Sequence, residues 1–261
     1  MKTDQILAAV QTKTPLVQCI TNYVAMNIAA NVVLAAGASP AMVHAETEVS
    51  DFVQISSALT INIGTLSPTW VVAMQKAADA ANASGTPWVL DPVAHFATSY
   101  RSEVVKDLIA RKPTIIRGNA SEILALSGAA TAGKGADSGD RVSDAESAAT
   151  ALAQLHVCIV AVTGEVDFVT DGTRAARISG GSDIMPMITA MGCSLTALVG
   201  AFVAVAPPLE ATVAALAMFS EAGTRAGLTA TGPGSFQVAF LDALSQIKPV
   251  DLVDDAGVQW L

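Results

Sequence analysis

Short apolar runs alternate along the chain with longer segments whose apolar residues recur every three or four positions. Residues 22–36 (NYVAMNIAANVVLAA) predict a helix, with Thr21 as its N-cap and Gly37 as its stop. Ser39–Val43 predicts a short strand and Glu48–Ser57 a helix. Ala58–Ile63 is apolar, carries β-branched residues and ends at Gly64, which predicts a buried strand. Helix Pro68–Ser84, strand Pro87–Val93, helix Ser102–Arg111 and strand Thr114–Ile116 come next, then helices at Asn119–Leu126 and Ala145–Leu155. Val157–Val162 (VCIVAV) is the clearest buried strand, and Asp171-Gly172 between Asp167–Thr170 and Arg174–Ile178 predicts a hairpin. Helical patterns then cover about 192–206, 209–226 and 235–247, and the tail from Lys248 reads as irregular.

Strands alternating with helices predict an α/β fold, a mainly parallel sheet with helices on both faces. The helical C-terminal third covers one side. No repeat or long linker interrupts the pattern, and Gly128–Ser143 is its loosest loop, so residues 1–261 read as a single domain.

Composition narrows the function classes. Hydrophobic residues make up 52% of the chain and charged ones 14%, which excludes disorder. The net charge of −9, with no run of Lys or Arg, argues against nucleic acid as a partner. Two stretches, Thr14–Ala45 and Ile184–Leu209, carry no charge at all. The first is broken by Gln18, Asn22, Asn27, Asn31, Gly37 and Pro40, and the second stops at Pro207-Pro208. Both therefore predict buried core, not membrane spans, which need about 20 mostly apolar residues. Asp4 and Gln5 interrupt any secretory signal, and three widely spaced cysteines fit free thiols in a reducing cytoplasm.

In such sheets ligands bind beyond the carboxyl ends of the strands. Polar or small residues succeed each apolar run: Gly64-Thr65, Asp91-Pro92, Arg117-Gly118-Asn119 and Thr163-Gly164-Glu165. A carboxylate, an arginine, a hydroxyl and glycines on one rim suit an anionic ligand with a metal ion. Met191-Gly192-Cys193-Ser194 then opens an apolar helix, whose N-terminus attracts anions and whose glycine allows close approach. Cys193 there is either a thiol of lowered pKa, able to act as nucleophile or base, or a small buried residue. Cys19 and Cys158 read as packing residues. Gly128 to Lys134 fits G-x-x-x-x-G-K, but Gly135 stands where a phosphate loop needs Ser or Thr and no strand leads into it. No G-x-G-x-x-G occurs, and His44, His95 and His156 lack metal-ligand spacing. His95 either lines the site or packs beneath it. Cys193 with a distant histidine would suit a cysteine hydrolase, but phosphate chemistry explains the rim better.

Together these motifs resemble the hydroxyethylthiazole kinases of thiamine biosynthesis, of ribokinase-like fold, from about Pro15 to Leu244. The resemblance rests on CITNYVAMNIAANVVLAAGASPAM (19–42), INIGTL (61–66), LDPVA (90–94), IRGNASEI (116–123), VAVTGEVDFVTDG (160–172), MGC (191–193) and GPGSF (232–236). It implies a three-layer fold and phosphorylation of 4-methyl-5-(2-hydroxyethyl)thiazole by ATP and Mg²⁺, in a homotrimer with sites shared between subunits. On that likeness Arg117 and Thr163 contact ATP, Met42 and Ala190 contact the thiazole, and Asn22 and Gly64 lie near the same pocket. Asp91 and Glu122 hold the metal, Met191 and Gly192 form the anion hole, and Cys193 stands where related sugar kinases carry an aspartate base.

The chain departs from the family at two places. Ala190-Met191-Gly192-Cys193 replaces the usual G-T-G-C, and Ala94-His95-Phe96 replaces a glycine-rich turn. Two rivals stand beside this reading: another ribokinase-like kinase such as a hydroxymethylpyrimidine kinase, and, from the altered anion loop, a weakly active thiazole- or nucleotide-binding protein.

Overall fold

Neighbouring residues of the buried strands, such as Val89 and Leu90, pack into different apolar clusters on opposite faces of one sheet. A sheet apolar on both faces needs a helical layer on each. In this computed structural model, which describes residues 1–129, 139–255 and 257–261, both layers are present.

The strands are β1 (Leu16–Ile20), β2 (Ser39–Ala41), β3 (Ala58–Asn62), β4 (Trp88–Asp91), β5 (Ile115–Asn119) and β6 (Ile159–Thr163), followed by β7 (Val166–Thr170), β8 (Ala175–Ser179) and β9 (Val258–Trp260). Their order is β2-β1-β3-β4-β5-β6-β7-β8-β9, parallel as far as β6 and antiparallel beyond it. Helices α1 (Thr3–Lys13), α2 (Met26–Ala35), α8 (Met191–Val203), α9 (Pro208–Thr229) and α10 (Pro233–Gln246) supply the cluster on one face. Helices α3 (Val49–Ile55), α4 (Pro68–Ser84), α5 (Ser99–Ala110), α6 (Ala120–Leu126) and α7 (Val142–His156) cover the other.

The uncharged stretch from residue 184 is explained by α8, which is buried along nearly its whole length between sheet and outer helices. Gly200 lets it lie down on the sheet, because a Cβ there would stand 2.5 Å from Thr60 Cγ2 and 3.0 Å from Val17 Cγ1. Among the described residues no helix is long and apolar enough to cross a membrane.

Several expectations need correction. α2 starts at Met26, not residue 22, and Thr21 does not cap it. Ala25 stands at its N-terminus without a side-chain cap, and Asn22 closes the turn before it, its Oδ1 accepting from the N–H groups of Val24 (3.1 Å) and Ala25 (3.0 Å). The strand expected at Thr114–Ile116 runs on to Asn119, so Arg117 lies within β5 rather than after it. The tail expected to be irregular carries regular elements: Pro249–Asp255 form a 3-10 helix and β9 pairs with β8. α1 and β1 carried no clear sequence signal, because buried Gln18 interrupts the apolar run of β1. The hairpin stands as expected, with Gly172 at φ +90° and Asp171 Oδ1 accepting from the N–H groups of Thr173 and Arg174. Residues 130–138, which hold most of the G-x-x-x-x-G-K segment and of the loose loop around it, lie outside the described residues.

Candidate active site

The ends of β4, β5 and β6, the start of β7 and the first turn of α8 meet around a cleft of about 790 Å³. Asp91, Arg117, Glu122, Thr163 and the run Ala190–Cys193 line it. Three of the four strand ends inferred from the sequence thus meet at one site, while Gly64 and Thr65 do not line it.

Asp91 ends β4 and is fully buried. Its Oδ2 accepts from Asn62 Nδ2 (2.7 Å) and Thr196 Oγ1 (2.8 Å) and lies 3.6 Å from Arg117 Nη1. Burial raises its pKa, opposed by the Arg117 charge and these hydrogen bonds. Its Oδ1 is buried with no partner.

Glu122 sits at the third position of α6, where a capping box fixes it. Asn119 Oδ1 accepts from the Glu122 N–H (2.9 Å), while Glu122 Oε2 accepts from the Asn119 N–H (2.8 Å). The Ala94 N–H donates to Glu122 Oε1 (2.9 Å), and His95 Nε2 lies 3.0 Å from the Glu122 carbonyl oxygen. His95 is therefore a buried packing residue beneath the site. Burial, and then the nearby Asp91 charge, push the Glu122 carboxyl up to about 7.

Arg117 is the cation of the cleft. It donates to Thr163 Oγ1, faces Asp91 and lies against Gly192. Sequence reasoning missed three polar neighbours. Asn62 joins Asp91 to Asn22, whose Nδ2 donates to Asn62 Oδ1 (2.8 Å) and to Cys193 Sγ (3.3 Å). Thr196, one turn after Cys193 on α8, donates to Asp91. Asp167 at the start of β7 lines the cleft, accepts from the Gly164 N–H (2.9 Å) and is pushed up to about 7 by burial. The available signal was a polar residue inside each otherwise apolar segment.

Other expectations divide. Gly64 lies in the turn beside Asn22, where a Cβ on it would stand 2.5 Å from Asn22 Nδ2, and neither residue lines the cleft. Met42 does not line the cleft; it follows the edge strand β2 and packs, half-buried, against the face carrying α8 and α9. The Cys193 thiol is not lowered as its place in the first turn of α8 predicts. Burial, then the Asp91 charge, push it up to about 11, against the hydrogen bonds of Asn22 and Asn62 and the Arg117 charge. The two departures from the family pattern fall on strained backbone: Ala94 has φ +49° and Ala190 φ +61°.

Three buried carboxylates, Asp91, Glu122 and Asp167, thus share the cleft with one buried arginine, and all three titrate upward. Such a site lacks positive charge. The unpartnered Asp91 Oδ1, with Glu122 as electrostatic neighbour, fits a hard cation, and Mg²⁺ needs only one or two carboxylates beside phosphate and water. The first turn of α8 adds N–H groups without intrahelical partners, suited to phosphate.

Comparison with known proteins agrees with this chemistry. The model of the "HK: Hydroxyethylthiazole kinase family" matches residues 7–249. A hydroxyethylthiazole kinase of Gemmatimonas aurantiaca is 61% identical over 254 residues, covering 97% of this chain and 92% of the relative. One of Rhizobium leguminosarum bv. trifolii is 64% identical over 241 residues, covering 92% and 90%. The structure of a hydroxyethylthiazole kinase from Pyrococcus horikoshii superposes with a TM-score of 0.91 at 38% identity, covering 99% of this chain and 98% of that one. A pyridoxal kinase from Staphylococcus aureus matches with a TM-score of 0.61 at 16% identity, covering 80% and 87%; this likeness concerns the ribokinase-like fold alone.

Proposed function

The chain belongs to the hydroxyethylthiazole kinase family, and from that premise we propose that it transfers the γ-phosphoryl group of ATP to the hydroxyl of 4-methyl-5-(2-hydroxyethyl)thiazole. The observation that carries the reading is Arg117 packed between Asp91, Thr163 and the bare backbone of Gly192 at the N-terminus of α8.

Phosphoryl transfer is mostly positioning and charge stabilisation. Arg117 and Thr163 bind the phosphates, and the N–H groups of Met191 and Gly192 receive the charge that develops on the transferred group. Asp91 and Glu122 would hold Mg²⁺, which when bound screens the phosphate oxygens. Asn22, which donates to Cys193, and Gly64 behind it support the alcohol side, and Ala190 lines the cleft. Cys193 touches the acceptor hydroxyl and holds it in line. Its thiol, pushed up to about 11, keeps its own proton at neutral pH, so it orients rather than deprotonates. The O–P bond to the alcohol forms as the bridging bond to ADP breaks, and the alcohol proton leaves to a phosphoryl oxygen or solvent. A loose transition state makes little demand on a base.

The left-handed Ala190 supports turnover over mere binding, since it takes the conformation a glycine would take and α8 still starts at Met191. A homotrimer is part of the proposal: Met42 lies outside its own chain's cleft, and Tyr23, Val24 and Leu34 are exposed on the α2 segment. Three free cysteines fit a cytoplasmic enzyme. The test is ADP release with the thiazole alcohol, ATP and Mg²⁺. Alcohol-dependent ADP is expected, and most of it should vanish in Arg117→Ala; no turnover above ATPase background would overturn the reading.

A further inference from the structure

Arg101, in the first turn of α5, has no carboxylate within ion-pair distance among the described residues. Its partners are backbone carbonyls. Nη1 donates to Ile63 O (2.9 Å) and Val93 O (2.8 Å), and Nη2 donates to Gly64 O. Ile63 and Gly64 form the turn after β3, while Val93 belongs to the turn after β4. One guanidinium thus joins two neighbouring strand-end turns.

Those turns serve opposite halves of the site. In the first, the Gly64 N–H donates to Asn62 Oδ1 (2.9 Å), and Asn62 also receives Asn22, which holds Cys193. In the second, the strained Ala94 donates its N–H to Glu122 Oε1. The base of the clamp is fixed as well. Thr98 Oγ1 accepts from the Arg101 N–H (3.3 Å), and Ser102 Oγ donates to the His95 carbonyl (2.9 Å). A planar fork of five donors can hold three carbonyls of two loops, whereas a lysine ammonium is a point donor on a flexible stem. Keeping a part-buried cation without a counter-ion is costly, which burial expresses as a lowered Arg101 pKa.

We propose that Arg101 is a positioning residue that fixes the separation between the acceptor-side turn (residues 62–64) and the phosphate-side turn (residues 92–95), so that acceptor hydroxyl and phosphoryl group meet in line. The proposal rests on the phosphotransfer reading above.

Arg101→Gln and Arg101→Lys test it by steady-state kinetics and by hydrogen exchange. A misplacement of about 1 Å can cost roughly 100-fold in rate. In Arg101→Gln, kcat should fall roughly 30-fold or more, while KM for ATP and for the alcohol each move less than about threefold. Arg101→Lys should recover part of kcat. Amides of residues 62–65 and 93–97 should exchange faster together in Arg101→Gln, with those of β5 and β6 unchanged. A wild-type kcat in Arg101→Gln, unchanged exchange in both turns, or a global rise in exchange with both KM values weakened would overturn it. Should the wild-type chain itself fail to turn over the thiazole alcohol, the functional reading falls, and the exchange of the two turns still decides the clamp.

Discussion

The guanidinium of Arg117 occupies the space where a side chain at position 192 would begin. A Cβ on Gly192 would stand 2.6 Å from Arg117 Nη1 and 2.9 Å from Nη2. The glycine of the anion loop therefore admits the arginine to the helix N-terminus, in addition to any room it leaves for phosphate. Gly192→Ala should displace Arg117 from Thr163 and Asp91 while leaving the fold intact. Losing one well-placed stabiliser of transition-state charge costs about 100-fold or more. A fall of that order in kcat/KM for ATP is expected by steady-state assay, and a variant within a factor of about two of wild type would contradict the packing argument.

Ala94 and Ala190 carry positive φ angles of +49° and +61°. A left-handed L-residue costs roughly 1–2 kcal/mol, while glycine costs about 0.4–1 kcal/mol through the freedom of its unfolded chain. Ala94→Gly and Ala190→Gly should each be neutral to stabilising, by up to about 1 kcal/mol or a rise in Tm of about 2–4 °C. Thermal unfolding checks this; a clear drop in Tm for both would show that the alanines sit there without strain.

Asp167 is raised from 3.8 to about 7, and Glu122 from 4.5 to about 7, in both cases chiefly by burial. A carboxyl with a raised folded pKa binds its proton more tightly folded than unfolded. Its favourable contribution is complete below the unfolded value and is lost as pH climbs to the folded one. Without nucleotide or metal, Tm should therefore decline between about pH 4 and pH 7, and the decline should be shallower in Asp167→Asn. Melting curves that rise across this interval, or that Asp167→Asn leaves untouched, would refute the assignment.

Cys193 is pushed up to about 11, so little thiolate exists near neutrality. Alkylation by iodoacetamide at pH 7 should be slow and should accelerate steeply only toward alkaline pH. Cys193→Ala should lower kcat by roughly tenfold through a less well held hydroxyl. Fast labelling at pH 7 would restore the thiolate, and unchanged turnover in the alanine variant would reduce Cys193 to packing.

Much of the site was legible because a parallel sheet gathers the residues that end its strands. Asp91, Arg117 and Thr163 stand at or near the ends of apolar runs, and the run lengths alone bring them to one rim. Asn62, Thr196 and Asp167 were not legible in the same way. Each is a polar residue in a mostly apolar segment, and only the packing of β3, α8 and β7 reveals what it touches. Arg101 was hidden for a related reason, since its partners are main-chain carbonyls that no sequence pattern marks.

The sequence by itself determined the layered α/β architecture, the rim of polar strand ends and the motifs of the family, because these arise from hydrophobic period and local spacing. Tertiary structure decided the pairing of β9 with β8, the exclusion of Met42 from its own chain's cleft and the protonation of Cys193. Those outcomes depend on burial and on charges brought together from distant parts of the chain. A thiol at a helix N-terminus reads as acidic in isolation; enclosed beside Asp91, it holds its proton.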